Sequence, residues 1–271
     1  MPKSLATWFT PSLQTISRSA GRSAVAAAAY RACVKLIDQT TGLIHDYTRK
    51  RGHVETLLVG ADDISELWNK AEAAETRKNS TVARELMLPL PDQWTDNERR
   101  ACVLDIAQHL RDTYGVAAAG SIHAANRHDR NGHCHLMFTT RVVDDDGNFG
   151  KKTRILDDMK TGEVKRLREA ICKIINDHAE KLGSDFYVYA GKFSDIDKNH
   201  IPTKHIPINA GKEYRAAITA QNTQVKIHLA NVATHKEKEK QLEAELLKAE
   251  LSNALNLETP ESTPASDAPK S

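Results

Sequence analysis

Three histidines in the middle of the chain have the types and spacing that suit a metal ion. His133 and His135 are two residues apart in an apolar, β-branched segment, and alternate side chains of a strand share a face, so both imidazoles should point away from Cys134. An upstream apolar run, 116–124, contains His123, and an antiparallel hairpin would bring it back beside the pair. Three neutral imidazoles suit a divalent transition metal and leave coordination positions for substrate or water. The alternative is a pair of surface or half-buried histidines.

Two further residues could complete a phosphoryl-transfer site around such a metal. An open metal site can bind non-bridging phosphate oxygens and offset the charge that develops on phosphorus. Tyr30, in an alanine-rich segment, could attack as a nucleophile and retain the 5′ phosphate end while a 3′ oxygen leaves. Glu85, an acid among apolar neighbours, could orient a metal-bound histidine or bind the metal directly. The alternatives are a packing tyrosine and an acid paired with Arg84 or a surface arginine.

The elements that must position these residues follow from periodicity and capping signals. A helix from Ser23 to about Leu36 carries Tyr30, and the segment after it reads as a turn and a polar loop. A strand over 5–16 is interrupted by Pro11. Further strands are expected at 54–59 and 82–90, and further helices at 63–77 and 234–257. Another helix should begin at a capping box over 95–98 and run to 114. A last one should cover 163–182, with Gly183 as its C-terminal cap.

Composition limits the function classes. The 271 residues allow one large domain or two small ones, and the net charge is only +2. The first sixty residues, however, hold eight lysines and arginines against three acids, which suits either a polyanion partner or a solvated charged surface. The four cysteines lack CxxC spacing, which argues against a zinc ribbon or a disulfide framework. We expect a cytoplasmic protein without membrane insertion, because the run Ala24 to Ala29 is too short for a span.

A cupin-like metalloenzyme is one alternative for the histidine pair. In cupins, a strand with the same histidine spacing also supplies two metal ligands, but the cupin pattern needs a glutamate a few residues after the pair. Phe138, Thr139 and Thr140 stand at those positions, and the next acid is Asp144. The spacing therefore counts against this class.

Three longer blocks of sequence resemble a known family. They are ISRSAGRSAVAAAAYRA followed by TTGLIHDYTRKRGHVE, LWNKAEAAETRKNSTVARELMLPLP, and GSIHAANRHDRNGHCHLMFTTR; a weaker fourth is RLREAICKIINDHAEKLG with the PTKH of residues 202–205. Together they span roughly residues 15–205 and resemble the MobA/MobL class of conjugative relaxases, plasmid-mobilisation endonucleases of the HUH type. The blocks are specific in combination, although the histidine pair alone is not.

The resemblance implies a fold, a reaction and a set of site residues. The fold would be α+β, a central antiparallel sheet flanked by helices, with a relaxase domain over 1–211, a charged helical extension over 212–257 and a disordered tail over 258–271. The reaction would be metal-assisted, site- and strand-specific nicking at a plasmid origin of transfer. Tyr30 would be the nicking tyrosine that forms a 5′-phosphotyrosine adduct, His123, His133 and His135 would hold the metal, and Glu85 would be the acidic active-site residue.

Cofactor and partners follow from the same resemblance. The metal would be Mn or Mg, with Zn, Ni or Co as alternatives. The substrate would be single-stranded or hairpin DNA at an origin of transfer, and relaxosome accessory proteins and a coupling protein would assist. Trp8, Phe9 and Tyr47 could stack on bases or belong to the core. The expected phosphate contacts are Arg18, Arg22, Arg31, Arg49, Lys50 and Arg51.

Other readings of the same residues stay open. A rolling-circle replication initiator or a transposase of the same metal-site class uses similar chemistry, but there the tyrosine typically follows the histidines. A DNA-binding accessory protein with a degenerate site is a non-nuclease alternative, for which Tyr30→Phe would change nothing measurable. Tyr47 and His128 are the substitutes if Tyr30 or His123 fails in its role.

Overall fold

The computed structural model of the protein describes residues 12–125, 132–191, 201, 203–204, 206–207 and 210–256. The predictions made for Trp8, Phe9 and His128, for the first part of the strand at 5–16 and for the tail at 258–271 lie outside these residues. The chain divides into two compact units, residues 1–192 and 193–271, which are described separately. The predicted domain division after residue 211 stays a prediction.

The first unit is built on an antiparallel sheet, as predicted. Its strands are β1 (Ser12–Ser17), β4 (His53–Val59), β5 (Thr81–Pro89), β6 (Val116–His123) and β7 (His133–Val143), in the spatial order β1-β5-β7-β6-β4. A short strand, β8 (Phe149–Lys152), pairs with the end of β7, and β2 (Lys35–Ile37) pairs with β3 (Ile44–Asp46) in a separate ribbon. The longest strand, β7, is therefore central and carries the histidine pair.

Helices cover both faces of this sheet. Alternation along β7 turns Met137 toward α1 (Ala24–Ala32) and α2 (Ile64–Ala73), and turns Leu136 toward α3 (Asp96–Tyr114) and α4 (Glu163–Lys181). His133 and His135 share the parity of Met137, so they lie on the α1 side, whereas Cys134 is buried in the α3 and α4 core. The prediction that Cys134 points away from the histidines is thus confirmed.

Local chemistry fixes where the helices begin and end. The predicted capping box at α3 is present, with the Thr95 side chain accepting from the Glu98 backbone and the Glu98 side chain accepting from the Thr95 backbone. α1 ends at Ala32 rather than near Leu36, because Cys33 adopts a left-handed conformation (φ 54°) and the following residues enter β2. The predicted polar loop after α1 is accordingly wrong, since it forms the β2–β3 ribbon.

The end of α2 differs from the prediction for a different reason. The helix stops at Ala73, four residues before the predicted Arg77. The guanidinium of Arg18 donates to the backbone carbonyls of Glu72 (2.7 Å) and Glu75 (2.9 Å), on either side of the point where the helix ends. A side chain distant in sequence therefore helps to set this boundary.

The second unit contains one long helix, α5 (Lys212–Asn256), of 45 residues. It begins well before the predicted Thr234, because residues 212–233 hold no glycine or proline that would interrupt a helix. Most of its side chains are exposed. Among the described residues, no helix is both long enough and apolar enough to cross a membrane.

Candidate active site

The three histidines predicted from the sequence come together at one end of the sheet. β6 and β7 form the predicted hairpin, and its register places His123 directly opposite His133. The ring centroids are 5.3 Å apart for His123 and His133, 5.5 Å for His123 and His135, and 5.1 Å for His133 and His135. Imidazoles that share one ion at metal–nitrogen distances of about 2.1 Å have centroids roughly 5 Å apart. The spacing of the rings therefore suits a single metal ion.

The donor chemistry also suits a metal, although the rings are not aligned for one. Burial, reinforced by the nearby charge of Lys50, lowers the pKa of His123 to about 4, so the imidazole is neutral near pH 7, as a ligand must be. The rings of His123 and His133 are nearly parallel, at 6°. Within the described part of the chain, no three His, Cys, Asp or Glu side chains are arranged to hold a metal ion as they stand. Coordination would therefore require a ring rotation.

Glu85 lies between the histidines and α1. Its side chain is 5% exposed, accepts a hydrogen bond from Nδ1 of His135 at 2.6 Å, and forms a bidentate ion pair with Arg31. Burial raises the pKa of Glu85, but the hydrogen bonds from His135 and Arg31 outweigh burial and lower it to about 2. The carboxylate is therefore ionised, and because it binds Nδ1, the opposite ring nitrogen of His135, Nε2, is the one that could meet a metal.

The alternative in which Glu85 pairs with Arg84 is wrong. The two residues are neighbours on β5 and therefore point to opposite faces of the sheet. Arg84 is completely buried on the other face, where Nη2 donates to the carboxylate of Asp157 and to the carbonyl of Thr153. Glu85 is thus directed to the histidines and not to the surface.

Tyr30 lies in the last turn of α1 and is 47% exposed, so it is not a core residue. The ammonium of Lys50 lies 3.6 Å from the centroid of its ring, and the edge-to-face neighbour is Tyr47, at 5.2 Å between centroids. Lys50 Nζ also donates to the backbone carbonyl of Tyr30 at 3.2 Å. The next carbonyl, that of Arg31, accepts a hydrogen bond from Nε2 of His123 at 2.8 Å. Side chains of the candidate site therefore cap the helix that presents Tyr30.

A fourth histidine joins the group without having been predicted. His53 lies opposite His123 in the register of β4 and β6, and the two rings meet edge to face at 5.7 Å. Its Nε2 lies 2.8 Å from the hydroxyl of Thr56, and burial lowers its pKa. The sequence around His53 carries no local signal for this position, because the pairing of β4 with β6 joins segments about seventy residues apart.

The predicted phosphate contacts have different surroundings. Arg22, Arg49 and Arg51 are exposed, and Lys50 lies on the Tyr30 ring. By contrast, Arg18 binds Glu72 and Arg31 binds Glu85, with 21% and 16% of their side chains exposed. Arg18 and Arg31 are therefore engaged in internal ion pairs, and their role as phosphate contacts stays a prediction.

A basic cleft, missed in the sequence, lies at the opposite end of the central strands. It has a volume of about 570 Å³. Its acids are Glu75 and Asp157, and its cations are Arg77, Arg141, Lys151, Lys152 and Arg154. Arg141 and Lys152 bind Glu75, whereas the exposed side chains of Arg77, Lys151 and Arg154 make no ion pair within the described residues. The paired basic residues at 77–78 and 151–152 were its only local signal, and the fold brings the two segments together.

Comparison with known proteins gives a consistent picture. The family model described as the MobA/MobL family matches residues 22–215. The chain is 34% identical over 242 residues to "Mobilization protein MobL" of Acidithiobacillus ferridurans, and the aligned segment covers 75% of this chain and 63% of that protein. It is 28% identical over 236 residues to "Conjugal transfer protein TraA" of Rhizobium radiobacter, which covers 73% of this chain and 21% of that protein. The chain thus spans less than two thirds of each of these relatives.

A solved structure supports the fold. It is described as "Molecular Basis of Vancomycin Resistance Transfer in Staphylococcus aureus" and superposes with a TM-score of 0.58 at 26% identity. The match covers 68% of this chain and all of that chain. The architecture of an antiparallel sheet with helices on both faces therefore has a solved counterpart.

Proposed function

Because this chain belongs to the MobA/MobL family, we propose that it nicks one DNA strand at a plasmid origin of transfer and remains joined to the 5′ end through Tyr30. The observation that carries the proposal is the placement of Tyr30. It is exposed at the end of a helix whose last carbonyls bind Lys50 and His123. The nucleophile thus lies on an element that is fixed directly to the histidine cluster.

The proposed reaction is a transesterification. The phenolic oxygen of Tyr30 attacks phosphorus, the bond from phosphorus to the 3′ oxygen breaks, and the phenolic proton is passed on so that the 3′ oxygen leaves as a hydroxyl. One phosphodiester replaces another, so the strand can be rejoined later. A divalent metal, Mn or Mg with Zn, Ni or Co as alternatives, would bind the non-bridging oxygens and offset their charge when held by His123, His133 and His135.

The chain's own residues have separate tasks in this scheme. Glu85 holds the ring of His135 through Nδ1, which leaves the opposite nitrogen for a ligand. Lys50 fixes the ring of Tyr30 from one face and Tyr47 contacts it from another side. Arg49 and Arg51, exposed beside Lys50 in the chain, would contact phosphates close to the nick.

We propose that the basic cleft holds DNA phosphates farther from the nick. Thr81, which lines the cleft, begins β5, whereas Pro89 at the other end of this strand pairs with His133. Eight residues of strand separate the two by about 26 Å. That is roughly the length of seven to eight base pairs of duplex. DNA that includes a hairpin beside the nick could therefore reach both places, whereas an oligonucleotide that ends beside the nick could not.

The cleft can be tested with a charge-matched control. Removing the three unpaired cations should weaken binding of a long hairpin-containing oligonucleotide and lower the slope of affinity against salt, while cleavage of a short oligonucleotide stays unchanged. If the control has the same effect, or if both oligonucleotides are affected equally, the cleft has no specific role. The cleft variant is Arg77→Ala, Lys151→Ala and Arg154→Ala, and the control on α4 is Lys165→Ala, Lys173→Ala and Lys181→Ala.

The nicking function is tested by trapping the adduct. The protein and Mn²⁺ are mixed with labelled oligonucleotides from each strand of the transfer region of its replicon and analysed on a denaturing protein gel. We expect a labelled protein band on one strand only, lost in Tyr30→Phe and retained in the matched variant Tyr47→Phe. A band that depends on Tyr47 would reassign the nucleophile. If no band forms on either strand, the DNA-binding accessory or cupin-like alternatives are favoured.

Relaxosome accessory proteins and a coupling protein are proposed as protein partners because the chain belongs to the MobA/MobL family. The exposed helix α5 is a candidate contact for them. Deleting residues 212–271 should abolish mobilisation in cells while adduct formation with oligonucleotides is retained. Loss of both would assign α5 to the nicking unit instead.

A further inference from the structure

Arg31 contacts the candidate metal site in two ways. Its guanidinium donates from Nε to Oε1 of Glu85 at 2.5 Å and from Nη2 to the other carboxylate oxygen, while Nη1 donates to the carbonyl of Ala27 at 3.0 Å. The same carboxylate accepts the Nδ1 proton of His135. The backbone carbonyl of Arg31 in turn accepts from Nε2 of His123 at 2.8 Å. One residue therefore restrains two of the three histidines, one directly and one through Glu85.

We propose that Arg31 is a positioning residue that sets the orientation of the candidate metal ligands and ties metal affinity to α1, the helix that presents Tyr30. The inference rests on the proposed role of the three histidines as metal ligands. It replaces the phosphate contact expected from the sequence. Because Arg31 directly follows Tyr30, a shift of the last turn of α1 would move the nucleophile and both imidazole restraints together.

The physical reason lies in what Glu85 would do without its partner. The carboxylate is almost fully buried and receives hydrogen bonds from only His135 and Arg31 among the described residues. A buried carboxylate that loses a bidentate guanidinium must find new donors or change its position. A change of position releases the ring of His135, and a new donor competes for the oxygen that accepts its Nδ1 proton. The guanidinium thus acts on the metal site through Glu85.

A second ion pair, next to the first residue of α1, supplies a matched control. Arg18 binds Glu72, and Glu72 also accepts a hydrogen bond from the backbone nitrogen of Ala24, the first residue of α1, at 2.7 Å. This pair resembles the one at the other end of the helix in burial and type, with side chains 21% and 3% exposed. Among the described residues, no contact joins this pair to the histidines. Loss of Arg18 should therefore loosen α1 without releasing a candidate ligand.

The test is a calorimetric titration of the full chain with Mn²⁺ in the absence of DNA. We expect Arg31→Met to weaken Mn²⁺ binding about tenfold or more, the range seen when an outer-shell partner of a ligand is lost. Arg31→Lys should recover part of this loss, since an ammonium keeps the charge but not the two parallel bonds. Arg18→Met should change Mn²⁺ affinity less than twofold. Circular dichroism and urea unfolding establish that each variant is folded.

A double variant covers the case in which Arg31→Met does not fold. Arg31→Met with Glu85→Gln removes the buried unpaired charge, and it should bind Mn²⁺ no more weakly than Glu85→Gln alone, because the guanidinium acts through the carboxylate. Unchanged affinity in Arg31→Met, equal losses in Arg31→Met and Arg18→Met, or additive losses in the double variant would overturn the proposal. Failure of the unsubstituted protein to bind Mn²⁺ would instead overturn the metal role of the histidines, and the proposal with it.

Discussion

Lys50 is the residue for which a role in DNA binding can best be distinguished from a role in positioning Tyr30, the proposed nucleophile. Its ammonium lies 3.6 Å from the Tyr30 ring centroid and 3.2 Å from the Tyr30 carbonyl. A cation over an aromatic face contributes about 0.5–1 kcal/mol at an exposed site and about 2 kcal/mol when desolvated, so a half-exposed pair should contribute about 1 kcal/mol. A partly exposed charged hydrogen bond should add about 1 kcal/mol. If both interactions hold the reactive geometry, Lys50→Met should slow attack by about 30-fold.

The assay measures adduct formation in a single turnover with saturating oligonucleotide. Lys50→Met should lower the rate at saturation, and Lys50→Arg should recover most of it because the charge over the ring is kept. Arg49→Met is the matched control, an exposed neighbour that should weaken DNA affinity but leave the saturated rate alone. If Lys50→Met instead weakens DNA affinity and leaves the rate at saturation unchanged, Lys50 is a phosphate contact, as its place in a basic segment first indicated. That result would refute the proposal that Lys50 positions the Tyr30 ring.

Three further predictions concern stability. Arg84 is fully buried, and its Nε and Nη1 have no hydrogen-bond partner among the described residues. Arg84→Met should therefore leave the free energy of unfolding in urea unchanged or raise it by about 1 kcal/mol, and a large loss would contradict this. Asp157→Ala should lower it by about 1–2 kcal/mol, because Asp157 is half exposed and Arg84 keeps its bond to the Thr153 carbonyl. Burial lowers the pKa of His123 in the folded protein to about 4, below its ordinary 6.5. Between these two pH values the unfolded chain binds a proton at this histidine and the folded protein does not. The free energy of unfolding that is present above pH 6.5 is therefore lost as the pH falls toward 4. In metal-free buffer, the loss of unfolding free energy between pH 7 and pH 5 should therefore be smaller for His123→Gln, and an equal loss would show that other groups dominate. Thr95→Ala removes a capping side chain that accepts from the Glu98 backbone and should cost about 1 kcal/mol in the same urea assay, with Thr95→Ser as the control that keeps the cap.

The parts of the site that the sequence predicted are those fixed by short-range periodicity. The alternation of β7 places His133 and His135 on one face, and the antiparallel pairing of β6 with β7 brings His123 opposite His133. Both features follow from fewer than thirty consecutive residues, so local patterns were sufficient to find them. The same holds for the capped start of α3 and the glycine at the end of α4, where Gly183 has a positive φ of 61°.

The features that were missed depend on which distant segments pair. His53 reaches His123 only because β4 is the neighbour of β6 in the sheet. The β2–β3 ribbon has three residues in each strand, too few to show a period, and its turn is held by the buried carboxylate of Asp38, which accepts from the backbone of Thr40 and Thr41. Sheet order and buried polar contacts of this kind leave no pattern in a single sequence.

The basic excess near the N-terminus suited a polyanion partner or a solvated surface, but it did not show which cations are available to a ligand. Arg18 and Arg31 pair with Glu72 and Glu85 inside the protein. Both acids lie later in the chain, outside the segment whose charge was counted. The unpaired cations of the basic cleft lie outside that segment too. A local charge excess therefore shows where cations are concentrated, and only the fold shows which of them remain available to a ligand.

The burial of Cys134 bears on which metal the histidines would take. Its side chain lies in the core on the α3 side, and burial raises the pKa of its thiol well above the ordinary range, so a thiolate is not available beside the imidazoles. The remaining donors are nitrogen atoms, with the Glu85 carboxylate engaged by Arg31 and His135. Magnesium prefers oxygen ligands, whereas imidazole suits later divalent metals, whose affinities rise from manganese through nickel. Of the two metals first expected, manganese fits this donor set better than magnesium. A competition titration tests this preference: displacement of Mn²⁺ from the unsubstituted protein by millimolar Mg²⁺ would contradict it.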